Sequence, residues 1–126
     1  MRRREFLRGL GAATLSGIAL PSMGCAASDP LTAALAGFFS DREAARAVGS
    51  AYLAATPGEG SAQVLIDRLA GPQRAHWEAV AARDPGALYT ELRSHHRDDF
   101  AQGDVISLGG WVLSRTEARL CALGAL

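Results

Sequence analysis

From residue 29 onward, apolar positions return at three- and four-residue intervals, the period that lines up one face of a helix. Asp29-Pro30 predicts the first start, an N-cap followed by proline at the first helical position. Leu31, Leu35, Phe38 and Phe39 then share a face. Ser40-Asp41-Arg42-Glu43 reads as a capping box, with Ser40 as the cap, opening a second helix through Val48, Tyr52 and Leu53. Thr56-Pro57-Gly58-Glu59-Gly60 turns the chain, and Ser61 caps a third helix bearing Val64, Leu65 and Leu69 that stops at Gly71-Pro72. Residues 73–84, with Trp77 and Val80, form a short alanine-rich helix. After Asp84-Pro85-Gly86, the inward stripe is Leu88, Leu92, His96 (or His95) and Phe100, ended by a C-cap at Gly103.

The period then changes. Val105-Ile106-Ser107-Leu108 and Trp111-Val112-Leu113 flank Gly109-Gly110, a pair able to take positive φ, which predicts a β-hairpin. Ser114-Arg115-Thr116-Glu117 is a second capping box and launches the last helix. A lone hairpin is marginal in water, so this one must pack on the helices. The expected fold is mostly α: a small bundle of four to six helices with one short C-terminal β-hairpin packed on it, as a single domain over residues 26–126.

The first 25 residues follow another plan. Met1-Arg2-Arg3-Arg4-Glu5-Phe6-Leu7-Arg8 is basic, Gly9 to about Leu20 is mildly apolar and rich in Ala and Gly, and small residues follow. That order belongs to an export signal and not to a fold. Arg3 and Arg4 with Phe6 and Leu7 resemble the motif of the bacterial twin-arginine pathway, which implies passage of a folded cargo through the twin-arginine translocase to the periplasm. A membrane anchor needs about 20 apolar residues. Here Gly9, Gly11, Thr14, Ser16 and Gly17 interrupt the run and Pro21 breaks it. Met23-Gly24-Cys25 is similar to a lipobox, although Ser22 stands where that motif prefers Leu. Two fates stay open: a lipid attached at Cys25, the one route to a membrane, or cleavage after Ala26 or Ala27. A Cys25–Cys121 disulfide would require Cys25 to be retained and unmodified; Cys121 reads most simply as a small buried hydrophobe.

Charge narrows the function classes. The chain is neutral overall, but the segment after residue 25 carries nine arginines against twelve acids. A mildly acidic domain lacks the clustered cations that nucleic acid requires, so no nucleic-acid role is expected. No nucleophile elbow, zinc-protease helix or phosphate-cradling loop is present, and two cysteines are too few for haem attachment or an iron–sulfur cluster. The expectation is a protein that is not an enzyme and carries no cofactor.

His95-His96-Arg97-Asp98-Asp99 is the densest polar cluster. His95 and Asp99, or His96 and Asp99, offer a metal two ligands on one face, short of a tetrahedral set. The expected state is a solvated face with Glu91 near Arg93 and Arg97. Trp111 and Trp77 have the most to offer a partner. Area in a domain this small assigns Trp111 to the core, and the alternative is a partner surface of Trp111, Arg115 and Arg119. The two arginines share a face and can meet a partner's carboxylate; plain solvation is the simpler expectation.

Asp99-Phe100…Gly103…Gly110-Trp111-Val112-Leu113-Ser114-Arg115-Thr116-Glu117-Ala118-Arg119-Leu120-Cys121-Ala122-Leu123 resembles the C-terminal signature of a family of small twin-arginine-signal proteins without assigned function. The general plan, with Leu31-Thr32-Ala33-Ala34-Leu35-Ala36-Gly37-Phe38…Ala51-Tyr52-Leu53-Ala54-Ala55, is similar to small subunits of periplasmic FAD-dependent gluconate, sorbitol and fructose dehydrogenases. That resemblance implies an exported, non-catalytic small subunit that supplies the signal and a binding surface to a large flavoprotein. The competing expectation is a free-standing periplasmic or lipid-anchored binding protein.

Overall fold

The computed structural model describes residues 29–126. Arg3, Arg4, Phe6, Leu7 and Cys25 lie outside them. The elements run α1 (Pro30–Ala36), α2 (Arg42–Ala55), α3 (Ala62–Ala70), α4 (Arg74–Arg83), α5 (Pro85–Gln102), β1 (Val105–Leu108), β2 (Trp111–Ser114) and α6 (Arg115–Ala125). Short 3₁₀ turns at Pro57–Glu59 and Gly71–Gln73 join α2 to α3 and α3 to α4. The fold is mostly α with a C-terminal hairpin, as the periodicity predicts.

Local chemistry sets most boundaries. Asp29, Ser61 and Ser114 accept from the backbone N–H of Thr32, Val64 and Glu117, each satisfying a free donor at a helix start. Gly103 ends α5 in the left-handed conformation. Two boundaries depart from expectation. The cap of α2 is Asp41 and not Ser40: its carboxylate accepts from Ala44 N at 3.0 Å, and negative charge at that helix end also suits the helix dipole. α1 stops at Ala36, with the Gly37 N–H closing on Ala33 O at 3.0 Å, so Phe38 and Phe39 lie in the following turn and not on the helix. There their rings meet edge to face, and Phe38 meets Tyr89 likewise.

Helix α6 is the axis of the domain. It packs most extensively on α2 and also touches α1, α3 and α5. Its small residues Ala118 and Ala122 are fully buried, beside Leu120 and Leu123. The approach to α2 is close because α2 offers Gly49: a Cβ there would lie 2.1 Å from the Cys121 carbonyl oxygen. Leu35, Tyr52, Leu65, Trp77, Leu88 and Leu92 complete the core from the other helices, all fully buried.

The hairpin pairs Val105 with Ser114 and Leu108 with Trp111 across Gly109-Gly110, whose φ values are +56° and +86°. Positive φ at both central residues is the turn whose twist matches the strands. Alternation puts Ile106, Leu108, Trp111 and Leu113 on one face. Ile106 and Leu108 pack against the core, yet Trp111 is 75% exposed. The expectation of a core Trp111 is therefore corrected. Trp111 sits at the turn end, where α2 presents only Ala47, Val48 and Ala51 and leaves space beneath the ring. Phe100, placed in the inward stripe of α5, is also corrected: it is 47% exposed, its ring edge-on to His96.

Candidate functional site

Three places concentrate chemistry. The first is the histidine segment of α5, where Arg97 and Asp98 are exposed as expected but His95, His96 and Asp99 are engaged by the domain. His95 packs edge-on against the buried Trp77 ring. His96 Nδ1 lies 2.8 Å from Ser114 Oγ and 3.7 Å from Glu117 Oε2. The Asp99 carboxylate accepts from Thr116 N at 2.7 Å. The His96 and Asp99 contacts clamp α5 to the first turn of α6, and His95 joins it to α4. Glu91 does not pair with Arg93 or Arg97; it meets His76 at 2.8 Å.

Serine, histidine and glutamate in one cluster suggest a hydrolase triad, but the geometry is wrong for one. A triad uses opposite ring nitrogens for nucleophile and carboxylate, whereas here one nitrogen, Nδ1, faces both. Ser114 is fully buried, and its Oγ accepts from Glu117 N at 2.9 Å as the cap of α6. The serine is thus a structural joint. Beside it, a hollow of about 240 Å³ is walled by Phe38, Phe39, Leu92 and Leu120, with Arg93, His96 and Glu117 at its polar side. Among the described residues no group of three or more His, Cys, Asp or Glu side chains is placed to hold a metal.

The second place is the 3₁₀ turn under α6. Glu59 accepts from the Tyr52 hydroxyl at 2.5 Å and from Arg119 Nε at 2.8 Å. Burial opposes ionisation of Glu59, but these two donors and the Arg119 charge outweigh it, and the carboxyl is held below its ordinary range. Arg119 is only 18% exposed, so its guanidinium is committed within the domain. Arg115 is also turned inward, with Nε 3.6 Å from Asp104 Oδ1. The shared face of Arg115 and Arg119, readable from their spacing, points at the domain's own carboxylates. Sequence reasoning missed Glu59, whose only signal is an acid in a turn.

The third place is the turn end of the hairpin. Trp111 is 75% exposed and Val112 57%. Trp111, Leu108 and Leu113 overhang Ala47, Val48 and Ala51 of α2 and enclose an apolar hollow of about 410 Å³. Of the three residues expected at a partner surface, Trp111 alone lies open.

Cys121 is buried as a free thiol, and burial pushes its pKa up to about 12, with Glu117 adding to the effect. A thiol so seldom ionised is a poor nucleophile. Among the described residues no helix is long and apolar enough to cross a membrane. Comparison with known proteins finds no matching family model, curated protein or solved structure.

Proposed function

We propose that the chain is an exported, non-catalytic accessory subunit that docks on a larger periplasmic oxidoreductase through the turn end of its hairpin. The carrying observation is the exposure of Trp111 over an apolar hollow, with Val112 open on the opposite face of the same strand. Tryptophan at the centre of such a patch is the residue type most enriched at interface hot spots, and burying it removes about 150–250 Å² from water. The role of the polar clusters as joints between helices supports a binding rather than a catalytic part. The N-terminal Arg3-Arg4 with Phe6 and Leu7 supports export by the twin-arginine translocase. An FAD-dependent dehydrogenase subunit is the partner implied by the resemblance of the plan.

The test is purification of the full chain from the periplasm of its own host, beside Trp111→Ser. The wild-type chain is expected to bring down a large flavin-bearing protein in fixed ratio, and the variant to lose it while staying folded. A wild-type chain recovered only as a solitary monomer overturns the docking role and favours the free-standing binding protein. Lys at Arg3 and Arg4 together (R3K/R4K) is expected to retain the chain in the cytoplasm, and mass spectrometry of the exported N-terminus distinguishes an acylated Cys25 from cleavage at Ala26 or Ala27.

A further inference from the structure

An electrostatic oddity lies at the start of α2. Arg42 is the first residue of that helix and Arg46 follows four residues later. A helix start is the positive end of the dipole, which disfavours cations. Like charges four apart on a helix repel as well. Glu43 in the same turn offsets part of this, while the Asp41 carboxylate is turned to the Ala44 N–H. The arginines that form ion pairs among the described residues are Arg74, Arg115 and Arg119; neither Arg42 nor Arg46 joins them.

Both arginines stand at the edge of a cleft of about 350 Å³ between α1, α2 and α6. Its walls mix apolar and polar surface: Ala36, Phe39, Ala45 and Leu123 supply the apolar part, Thr32 and Leu126 also line it, and no Asp or Glu side chain does. Size and lining fall within the range of small-molecule sites. Two guanidinium groups beside an apolar slot match a ligand with an oxyanion head and one hydrocarbon tail. We propose that this cleft binds a free medium-chain alkyl carboxylate, with the carboxylate on Arg42 and Arg46 and the tail against Phe39 and Leu123. A membrane phospholipid offers a similar anionic head, but its two acyl chains exceed the space. The inference goes beyond the docking role and stands whether or not the hairpin has a partner.

Phe39 sets the tail length. It also lines a neighbouring hollow of about 230 Å³ with Val48 and Cys121, and Phe39 and Ala45 are common to both spaces. Phe39→Ala joins them and shifts preference toward longer tails.

Titration calorimetry on the full chain at neutral pH tests the site with octanoate, octanol and tetradecanoate. Octanoate is expected to bind at least about tenfold more tightly than octanol, the scale of a charge-assisted hydrogen bond. Arg42→Gln with Arg46→Gln should abolish that difference and leave octanol unchanged. The same double variant, freed of repulsion at the helix start, should melt about 2 °C higher without ligand. Phe39→Ala should bring tetradecanoate level with octanoate or above it. No octanoate binding, equal affinity for octanoate and octanol, undiminished binding by the arginine variant, or binding only to anionic phospholipid vesicles each overturns the proposal.

Discussion

The two tryptophans of the chain end in opposite surroundings, and the contrast separates what holds the domain together from what it shows to others. Trp77 is fully buried on α4, its Nε1 donating to Gln73 Oε1 at 3.2 Å and its ring against His95. Trp111 lies open at the tip of the hairpin. Both lie on the side of their element that is turned toward the rest of the domain. The difference is what stands opposite. Trp77 meets a junction of helices that closes around it, whereas Trp111 faces Ala47, Val48 and Ala51, which leave a hollow beneath it. An inward-facing position is buried only if the facing element fills the space.

Substitution at the two sites should divide stability from recognition. Trp77→Ala empties a closed site and is expected to cost about 3–5 kcal/mol, read as a large fall in the denaturant midpoint. Gly49→Ala forces a methyl into the Cys121 carbonyl and should cost about 1–3 kcal/mol or more, since the obstacle is backbone and cannot rotate away. Equal stability of that variant would show that α2 and α6 are not held at this spacing.

Glu59 tests the buried side of the comparison by pH. Its folded carboxyl ionises more readily than in the unfolded chain, so its stabilisation is complete above about pH 4.5 and is lost as pH falls through the lowered folded value. Glu59→Gln should be less stable at neutral pH by about 1–3 kcal/mol, because Arg119 keeps its burial and loses its counter-charge. Its stability should also fall less than that of the wild type in acid. Parallel acid profiles of the two proteins would remove Glu59 from the account. The smallest stability effect belongs to Trp111→Ser, within about 0.5 kcal/mol, because its ring is already in water.

Much of the fold was legible where the information is local. Asp29, Ser61, Ser114 and Gly103 announce helix ends because a cap depends on a side chain and the few backbone groups beside it. Gly109-Gly110 announces the hairpin for the same reason. Ser40 misled because Asp41, an equally good cap with a formal charge, stands next to it. The polar joints were less legible. His96 with Ser114, Asp99 with Thr116 and Glu59 with Arg119 join residues 17 to 60 positions apart, and no spacing rule reaches that far.

The sequence by itself determined the helical class, most element boundaries and the turn that reverses the chain before α6, because periodicity and caps act over a few residues. Only tertiary structure decided that α6 is the axis, that Gly49 is where a second helix comes close, and that Arg119 is spent inside the domain. It also decided which tryptophan faces water. Burial belongs to pairs of surfaces, and a single strand of sequence carries one surface of each pair without naming the other.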